Sequence, residues 1–307
     1  MGSLIHRRSL GSLCANMLGD CWSKGYSTEH PLVIYSFGFI THGILDRHFH
    51  PFINYFSGWY DHSKPHTKAF RYNHSFYERI LDVLLYKEFL NQKWMTDLVL
   101  TPPGSRAQNF AEYFTIAPHD RDVLVPFLTQ SIFKTYEKTQ TDTKMSQRIT
   151  HALADSSGFY QYCDKAVSKR VDQIIENTPA PIQNLKWTGL LHPTFLPSDM
   201  DFLNTSHQTW QDPCGFGEWI QSSVLDLWNQ ALRESCSIIA WITTQWNTKN
   251  TDWLGGVSQI IGNSDLRNTR PSDKLCTLEY CEPKDLFQVL KVLDEGTIPP
   301  DWVRIFP

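Results

Sequence analysis

Three side chains suited to metal binding recur at four-residue intervals in one apolar segment. His42, Asp46 and His50 lie within LVIYSFGFITHGILDRHFH, and residues four apart follow the same face of a helix. A carboxylate and imidazoles on an apolar helix lose their hydration, which costs several kcal/mol for an ion that is not compensated. Zinc supplies that compensation, because it accepts both imidazole nitrogen and carboxylate oxygen. The spacing therefore predicts a metal site on this face.

A second segment repeats the spacing. His74 and Glu78 are four residues apart, and Asp82 follows one turn later. One such pair alone is more often a surface ion pair or a core hydrogen bond. Two pairs, with His50 between them and an apolar helix beneath, favour ligands on facing helices, as in metal-binding helix bundles.

These side chains need helices to hold them, and hydrophobic periodicity predicts such helices along most of the chain. The predicted ranges are 3–18, 32–50, 69–91, 120–137, 143–155, 160–176, 218–246 and 284–294. In the first range, His6 shares the inward stripe of Leu10 and Leu13, and Gly19-Asp20 ends the pattern. Pro31 and Pro51 bound the second range. Strand-like alternation is scarce, so the prediction is an all-α multi-helix bundle around a metal cluster.

A Pro-rich connection over 179–197 divides the chain into a helical domain, 1–178, and a Trp-rich helical C-terminal region, 179–307. In the 307 residues, Lys and Arg number 28 and Asp and Glu 32, so the formal charge is −4 and nucleic acid is not an expected partner. Seven cysteines without a C-x-x-C motif predict reduced thiols and a cytoplasmic location. The sequence contains no run of about 18 apolar residues, so it predicts no transmembrane segment.

The segment FGFITHGILDRHFHPFINY, followed by HSFYERILD, resembles the zinc-dependent phospholipase C family in its intracellular bacterial branch. The resemblance covers residues 3–90 well and continues more loosely to about 176. It implies an all-α bundle around a cluster of up to three zinc ions. Single-strand-specific zinc nucleases share that fold, so the resemblance specifies the metal site better than the substrate.

The resemblance implies metal ligands at six positions: His6, His42, Asp46, His50, His74 and Glu78. Asp46 corresponds to a ligand that bridges two metals, and His50, His74 and Glu78 to the three residues that hold another zinc. The family also has an upstream G-P-D segment, whose Asp is a ligand and the proposed general base. This segment has no counterpart before His6, so we expect either a start further upstream or the loss of one metal, with two ions favoured. Asp20 is the nearest acid that could substitute, although a turn residue at a helix end is the expected role for it.

Other signals are weaker. His48 lies on a different face of its helix from His50 and should point away from the metal site, and His62 and His66 lie in a predicted loop. The aromatic residues after His50 (Phe52, Tyr55, Phe56, Trp59 and Tyr60) suit either a quaternary ammonium group or simple packing, and the sequence leaves both open. His119-Asp120 follows Pro118 and predicts a helix start rather than a phosphohydrolase motif. Asn204, His207 and Trp210 resemble a segment of the same family that has no assigned role.

The predicted function is hydrolysis of a phosphodiester, lipid or small molecule, by zinc-activated water, with contact to a membrane surface if the substrate is a lipid. Two alternatives stay open. The first is a nuclease or nucleotidase that uses the same ions, and the second is a non-catalytic helical scaffold with one structural metal. The missing upstream acid favours the scaffold.

Overall fold

The structure is a computed structural model, and it describes residues 5–6, 8–58, 73–90, 116–166, 192–212, 219–248, 252–264, 266 and 286–305. The α-helices are α1 (Leu10–Ser23), α2 (Pro31–Ser57), α3 (Asn73–Leu90), α4 (Pro118–Thr135), α5 (Met145–Ala166), α6 (Val224–Trp246), α7 (Trp253–Ile261) and α8 (Leu286–Glu295). A 3₁₀ turn spans Glu137–Thr139, and the strands are β1 (Phe195–Pro197), β2 (Trp210–Gln211), β3 (Trp219–Ile220) and β4 (Trp302–Arg304). The all-α prediction is confirmed. No helix among the described residues has the length and apolar character needed to cross a membrane.

The chain forms two compact units, each assembled from three stretches of sequence. Unit 1 contains 1–52, 116–153 and 209–278, and unit 2 contains 53–115, 154–208 and 279–307. The predicted domain boundary at 178 lies outside the described residues and stays a prediction.

The core of unit 1 is built around α1, which packs against α4 and α7. Leu13, Met17 and Leu18 of α1 are almost fully buried. Helix α6 begins with a capping box, in which Ser223 Oγ accepts from the Asp226 N–H at 3.1 Å and Asp226 Oδ2 accepts from the Ser223 N–H at 2.9 Å. The predicted C-terminal helices are thus present, and α6 and α7 complete the core that holds α1.

Unit 2 contains α3, α8 and a short antiparallel ladder. Strands β1 and β4 pair with Leu196 opposite Val303. Tyr77 of α3 is buried and its hydroxyl donates to the Phe202 main-chain oxygen at 2.9 Å. This bond ties α3 to the loop that follows β1.

The first predicted helix is wrong at both ends. Helix α1 begins at Leu10, because Ser9 has a left-handed backbone with φ 62°; Ile5 is helical too, and residues 3 and 4 lie outside the described residues. His6 therefore lies in a turn outside the helix. The helix continues through Gly19-Asp20, since Gly19 allows close approach of α7: an added Cβ would lie 3.2 Å from Leu254 Cδ1.

Other boundaries are also wrong. Pro51 does not end α2, although a helical proline costs about 3 kcal/mol. Burial of the Phe52 and Ile53 side chains directly after Pro51 compensates for this cost. Phe52 packs edge-on against Trp210, with 5.3 Å between the ring centroids. The range predicted as 143–155 and the first part of the range predicted as 160–176 form one helix over Met145–Ala166, and 167–176 lie outside the described residues. Helix α6 begins later than predicted because Trp219 lies in β3, where it pairs with Gln211.

Gly11 provides a test of the contact between α1 and α7. An added Cβ would lie 2.7 Å from the Gly262 oxygen and closer still to the Ser258 oxygen. Gly11→Ala should therefore lower the free energy of unfolding by about 1–3 kcal/mol, measured in urea. Gly38, a helical glycine of α2 with open space around it, is the matched control, and Gly38→Ala should raise stability by about 0.5–1 kcal/mol. Equal effects of the two substitutions would contradict this packing.

Candidate metal centre

The candidate metal ligands that the structure describes in unit 1 come from α2 and from the turn before α1. Helix α2 carries His42, Asp46 and His50 on one face, as predicted. Gly43, between the first two, lets Leu10 of α1 pack directly on α2, since an added Cβ would collide with Leu10 Cδ2. This close approach brings the segment that contains His6 next to Asp46.

Asp46 is the centre of the group. Its Oδ2 atom lies 3.1 Å from His6 Nε2 and 3.3 Å from His42 Nε2. The side chain of Asp46 is 13% exposed, whereas that of His42 is 59% exposed. The group thus has a buried carboxylate on one side and is open to solvent on the other.

The geometry at Asp46 Oδ2 suits a cation. Among the described residues, this buried oxygen has no hydrogen-bond partner of suitable geometry, although two ring nitrogens lie close to it. Leaving a buried carboxylate oxygen unsatisfied is costly. Zinc ligands lie about 2.0–2.2 Å from the ion, so neighbouring donor atoms are roughly 3–4 Å apart, which matches the observed spacing. His6, His42 and Asp46 therefore form a group that can hold a metal ion.

The ionisation of Asp46 also suits metal binding. Burial by itself raises the pKa of this carboxyl group, but contact with His6 and the nearby rings of His50 and His42 outweigh it. The pKa of Asp46 is therefore held below its ordinary value, and the group is an anion at neutral pH.

His50 lies one turn beyond Asp46 and is 6% exposed. Its Nδ1 is 3.3 Å from the main-chain oxygen of Leu266, its Nε2 is 3.8 Å from Asp46 Oδ1, and its ring stacks on that of His6 at 6.0 Å between centroids. A carbonyl oxygen only accepts, so Nδ1 carries the proton and a neutral ring has its lone pair on Nε2. Orientation of a histidine by a carbonyl is the usual arrangement around metal ligands.

Unit 2 holds the other predicted pair. His74 Nε2 lies 3.1 Å from Glu78 Oε1, and His74 Nδ1 lies 3.0 Å from Asn54 Oδ1. The amide oxygen accepts a hydrogen bond from the Nδ1–H, so a neutral ring directs its Nε2 lone pair at the Glu78 carboxylate. A proton or a metal ion between these two acceptors would relieve their repulsion. The predicted zinc site at His50, His74 and Glu78 draws on both units and stays a prediction.

A polar contact that the sequence did not reveal holds α2 from its opposite side. Glu234 of α6 pairs with Arg47 and lies 2.8 Å from His48 Nε2, while Arg47 Nη1 donates to the Ile261 oxygen at 2.8 Å. His48 thus points away from the metal group, which confirms the prediction from its position on the helix. In the sequence, the adjacent residues Arg47 and His48 are the only sign of this contact, and the fold is needed to identify Glu234 as their shared partner.

The remaining sequence signals have structural roles. Asp20 pairs with Lys134 of α4 and does not join the metal group. His119 is 83% exposed and lies 3.3 Å from Asp120 in the first turn of α4, as the helix-start interpretation predicts. His62 and His66 lie outside the described residues, as do Trp59 and Tyr60.

Two residues of the C-terminal segment that resembles the family have structural contacts. Trp210 is buried and donates from Nε1 to the Ser222 oxygen at 3.0 Å. Asn204 has φ 52° and closes its loop through two bonds to Gln208. His207 also has a left-handed backbone, with φ 54°. These contacts account for two of the three residues by loop closure and core packing.

No protein-family model matches the chain, and no curated protein or solved structure shows significant similarity to it. The resemblance to zinc-dependent phospholipases C therefore stays an expectation. The geometry around Asp46 supports a metal site independently of that resemblance.

The contact at Glu234 predicts a pH dependence of stability. Burial raises the pKa of Glu234, but hydrogen bonds to His48 and the charge of Arg47 outweigh it, so the pKa lies below its ordinary value of 4.5. A depressed pKa stabilises the folded state above the unfolded-state pKa, and this stabilisation is lost as the pH falls through the folded-state value. Glu234→Gln should cost roughly 1 kcal/mol near neutral pH and nothing in acid. Denaturant unfolding of the wild type and Glu234→Gln, from neutral pH to below 4.5, tests this. Glu137→Gln, at an exposed position, is the control. A stability difference between the wild type and Glu234→Gln that does not change with pH would contradict the prediction.

Proposed function

We propose that this protein is a metal-dependent phosphodiester hydrolase of the phospholipase C type, with zinc as the metal. The observation that carries the proposal is Asp46 Oδ2, a buried oxygen that lies at ligand spacing from two imidazole nitrogens. The substrate class comes from the resemblance in the sequence, and phosphodiester hydrolysis is chemistry that such a group can support.

The three residues have distinct tasks in this proposal. Asp46 supplies the negative charge, and because its carboxyl group is ionised at neutral pH it needs no deprotonation to bind a cation. His6 and His42 supply neutral nitrogen ligands. His42 is the most exposed of the three, so the group opens to solvent on its side. An ion held there retains a face for water and a phosphate oxygen, which a catalytic site requires and a closed structural site lacks.

Bound zinc supplies a Lewis acid that activates water near neutral pH and offsets the charge of a phosphodiester. The chain orients the ligands that make this useful. The carbonyl of Leu266 fixes the ring of His50 beside Asp46, and the low exposure around both groups strengthens electrostatic interactions there. Asp20 pairs with Lys134, so this proposal does not use it as a general base.

Metal affinity tests the site itself. Protein stripped with a chelator should bind zinc, and Asp46→Asn or His42→Ala should weaken binding by more than about 100-fold, because losing a ligand exceeds the 10–100-fold effect of outer partners. Competition with a chromogenic chelator measures the dissociation constant. His119→Ala is the control, because it removes an exposed histidine that lies beside Asp120 in α4. It should leave the zinc affinity unchanged. Equal affinity of Asp46→Asn and His119→Ala would contradict the site.

Activity tests the reaction. Zinc-loaded protein should hydrolyse p-nitrophenylphosphorylcholine, and Glu78→Gln, which exchanges an anionic ligand for a neutral amide, should lower the rate by more than about tenfold at limiting zinc. Raising the zinc concentration should restore part of that rate, because the variant binds the ion weakly. Release of nucleotides from single-stranded DNA, with no cleavage of the choline ester, would favour the nuclease. Bound zinc with neither activity would favour the scaffold.

A further inference from the structure

The first turn of α1 is capped by residues distant in sequence. The first N–H groups of a helix have no partner inside the helix. Here the Gly11 N–H donates to the Gly262 oxygen at 2.8 Å, and the Ser12 N–H donates to Asn263 Oδ1 at 2.9 Å. The Ser9 N–H donates to the main-chain oxygen of Asn263 at 3.3 Å. The segment after α7 thus satisfies the start of α1.

The side chain of Asn263 is fixed by a small polar network. Its Oδ1 also accepts from Ser12 Oγ at 3.1 Å, and its Nδ2 donates to Ser258 Oγ at 3.1 Å. The two serine hydroxyls lie 3.2 Å apart. Ser9 has an unfavourable left-handed backbone and offers no side-chain cap of its own. Asn263 therefore performs the capping that a residue at the N-terminus of the helix normally provides.

This cap lies next to a metal ligand. His6 is three residues before Ser9, and its main-chain oxygen accepts from the Leu266 N–H at 2.7 Å. His42 and Asp46 are fixed by their places in α2, whereas His6 lies in a turn. The distance of 3.1 Å between His6 Nε2 and Asp46 Oδ2 thus depends on bonds that reach the turn from outside.

We propose that Asn263 is a positioning residue of the metal centre, which holds the turn before α1 so that His6 meets Asp46. The inference rests on the proposed function for its link to zinc. Asn263 touches neither the proposed ion nor its ligands, and it acts through Ser9 and Ser12. Its removal should loosen the placement of His6 while His42 and Asp46 stay in place, so one of the three zinc ligands should be held less well.

The test compares three variants of the full-length chain. Asn263→Ala removes the side-chain acceptor of the Ser12 N–H and leaves the main-chain bonds to Ser9 and Gly11. Asn263→Asp keeps an acceptor for the Ser12 N–H, with a negative charge that a helix N-terminus favours. Ser223→Ala is the matched control, because it removes the capping box of α6 in the same unit without a contact to His6. Two quantities are measured for each: the zinc dissociation constant, and, in metal-free protein with labelled histidine, the nuclear Overhauser effect between the rings of His6 and His42, whose centroids lie 6.2 Å apart.

Asn263→Ala should weaken zinc binding about tenfold, the lower end of the range for outer partners of a metal site, and should reduce the ring-to-ring signal. Asn263→Asp should restore both to near wild-type values, and Ser223→Ala should change neither, although it lowers the melting temperature. If Asn263→Ala does not fold, Ser12→Ala replaces it and should weaken zinc binding roughly threefold, as expected for one hydrogen bond.

The outcomes separate the two hypotheses. If Asn263→Ala behaves like Ser223→Ala in both measurements, the positioning role is wrong. If the wild-type chain binds no zinc, the proposed function is wrong, and the ring-to-ring signal then decides by itself whether Asn263 places His6. Zinc binding with an unchanged signal in Asn263→Ala keeps the metal site and overturns the inference.

Discussion

A buried carboxylate among imidazoles is the constraint on which the rest of unit 1 depends. Asp46 loses most of its hydration on an apolar helix, and it stays ionised because His6, His50 and His42 lie around it. An arrangement of this kind is unfavourable unless a positive charge, from protons or a metal ion, is shared among the groups. The contacts that bring α1 and the turn before it onto α2 are therefore also the contacts that complete the group around Asp46.

The structure brings these groups together through close helix packing rather than through residues near in sequence. Gly43 lets Leu10 approach α2, and Gly11 lets α1 approach the end of α7. At both places a side chain would collide with its neighbour. Helix α1 is thus held between α2 and the segment around Asn263, and small shifts at either contact would reach His6. Because interiors are closely packed, such shifts are transmitted rather than absorbed.

The geometry and the resemblance contribute different parts of the functional hypothesis. The distances around Asp46 and the exposure of His42 support a cation site with an open side. They say nothing about the substrate, since a metal site of this type serves several hydrolytic reactions. The phosphodiester substrate comes from the resemblance, which no comparison with known proteins supports.

The sequence by itself determined the helical class and the candidate ligands that share one face of α2, because 3.6-residue periodicity places residues four apart on one face. His42, Asp46 and His50 follow this local rule. The same rule correctly predicted that His48 points away from them.

The local rules failed where tertiary packing opposed them. Pro51 lies inside α2, because burial of the residues after it compensates for the lost hydrogen bond. His6 lies outside α1, because Ser9 has a left-handed conformation. The contacts of Glu234, Leu266 and Asn263 could not be found from the sequence. Each of these residues binds a residue that is 186 or more positions away in the chain. Only the folded chain decides such contacts, because they depend on which helix surfaces bury each other and not on any local pattern.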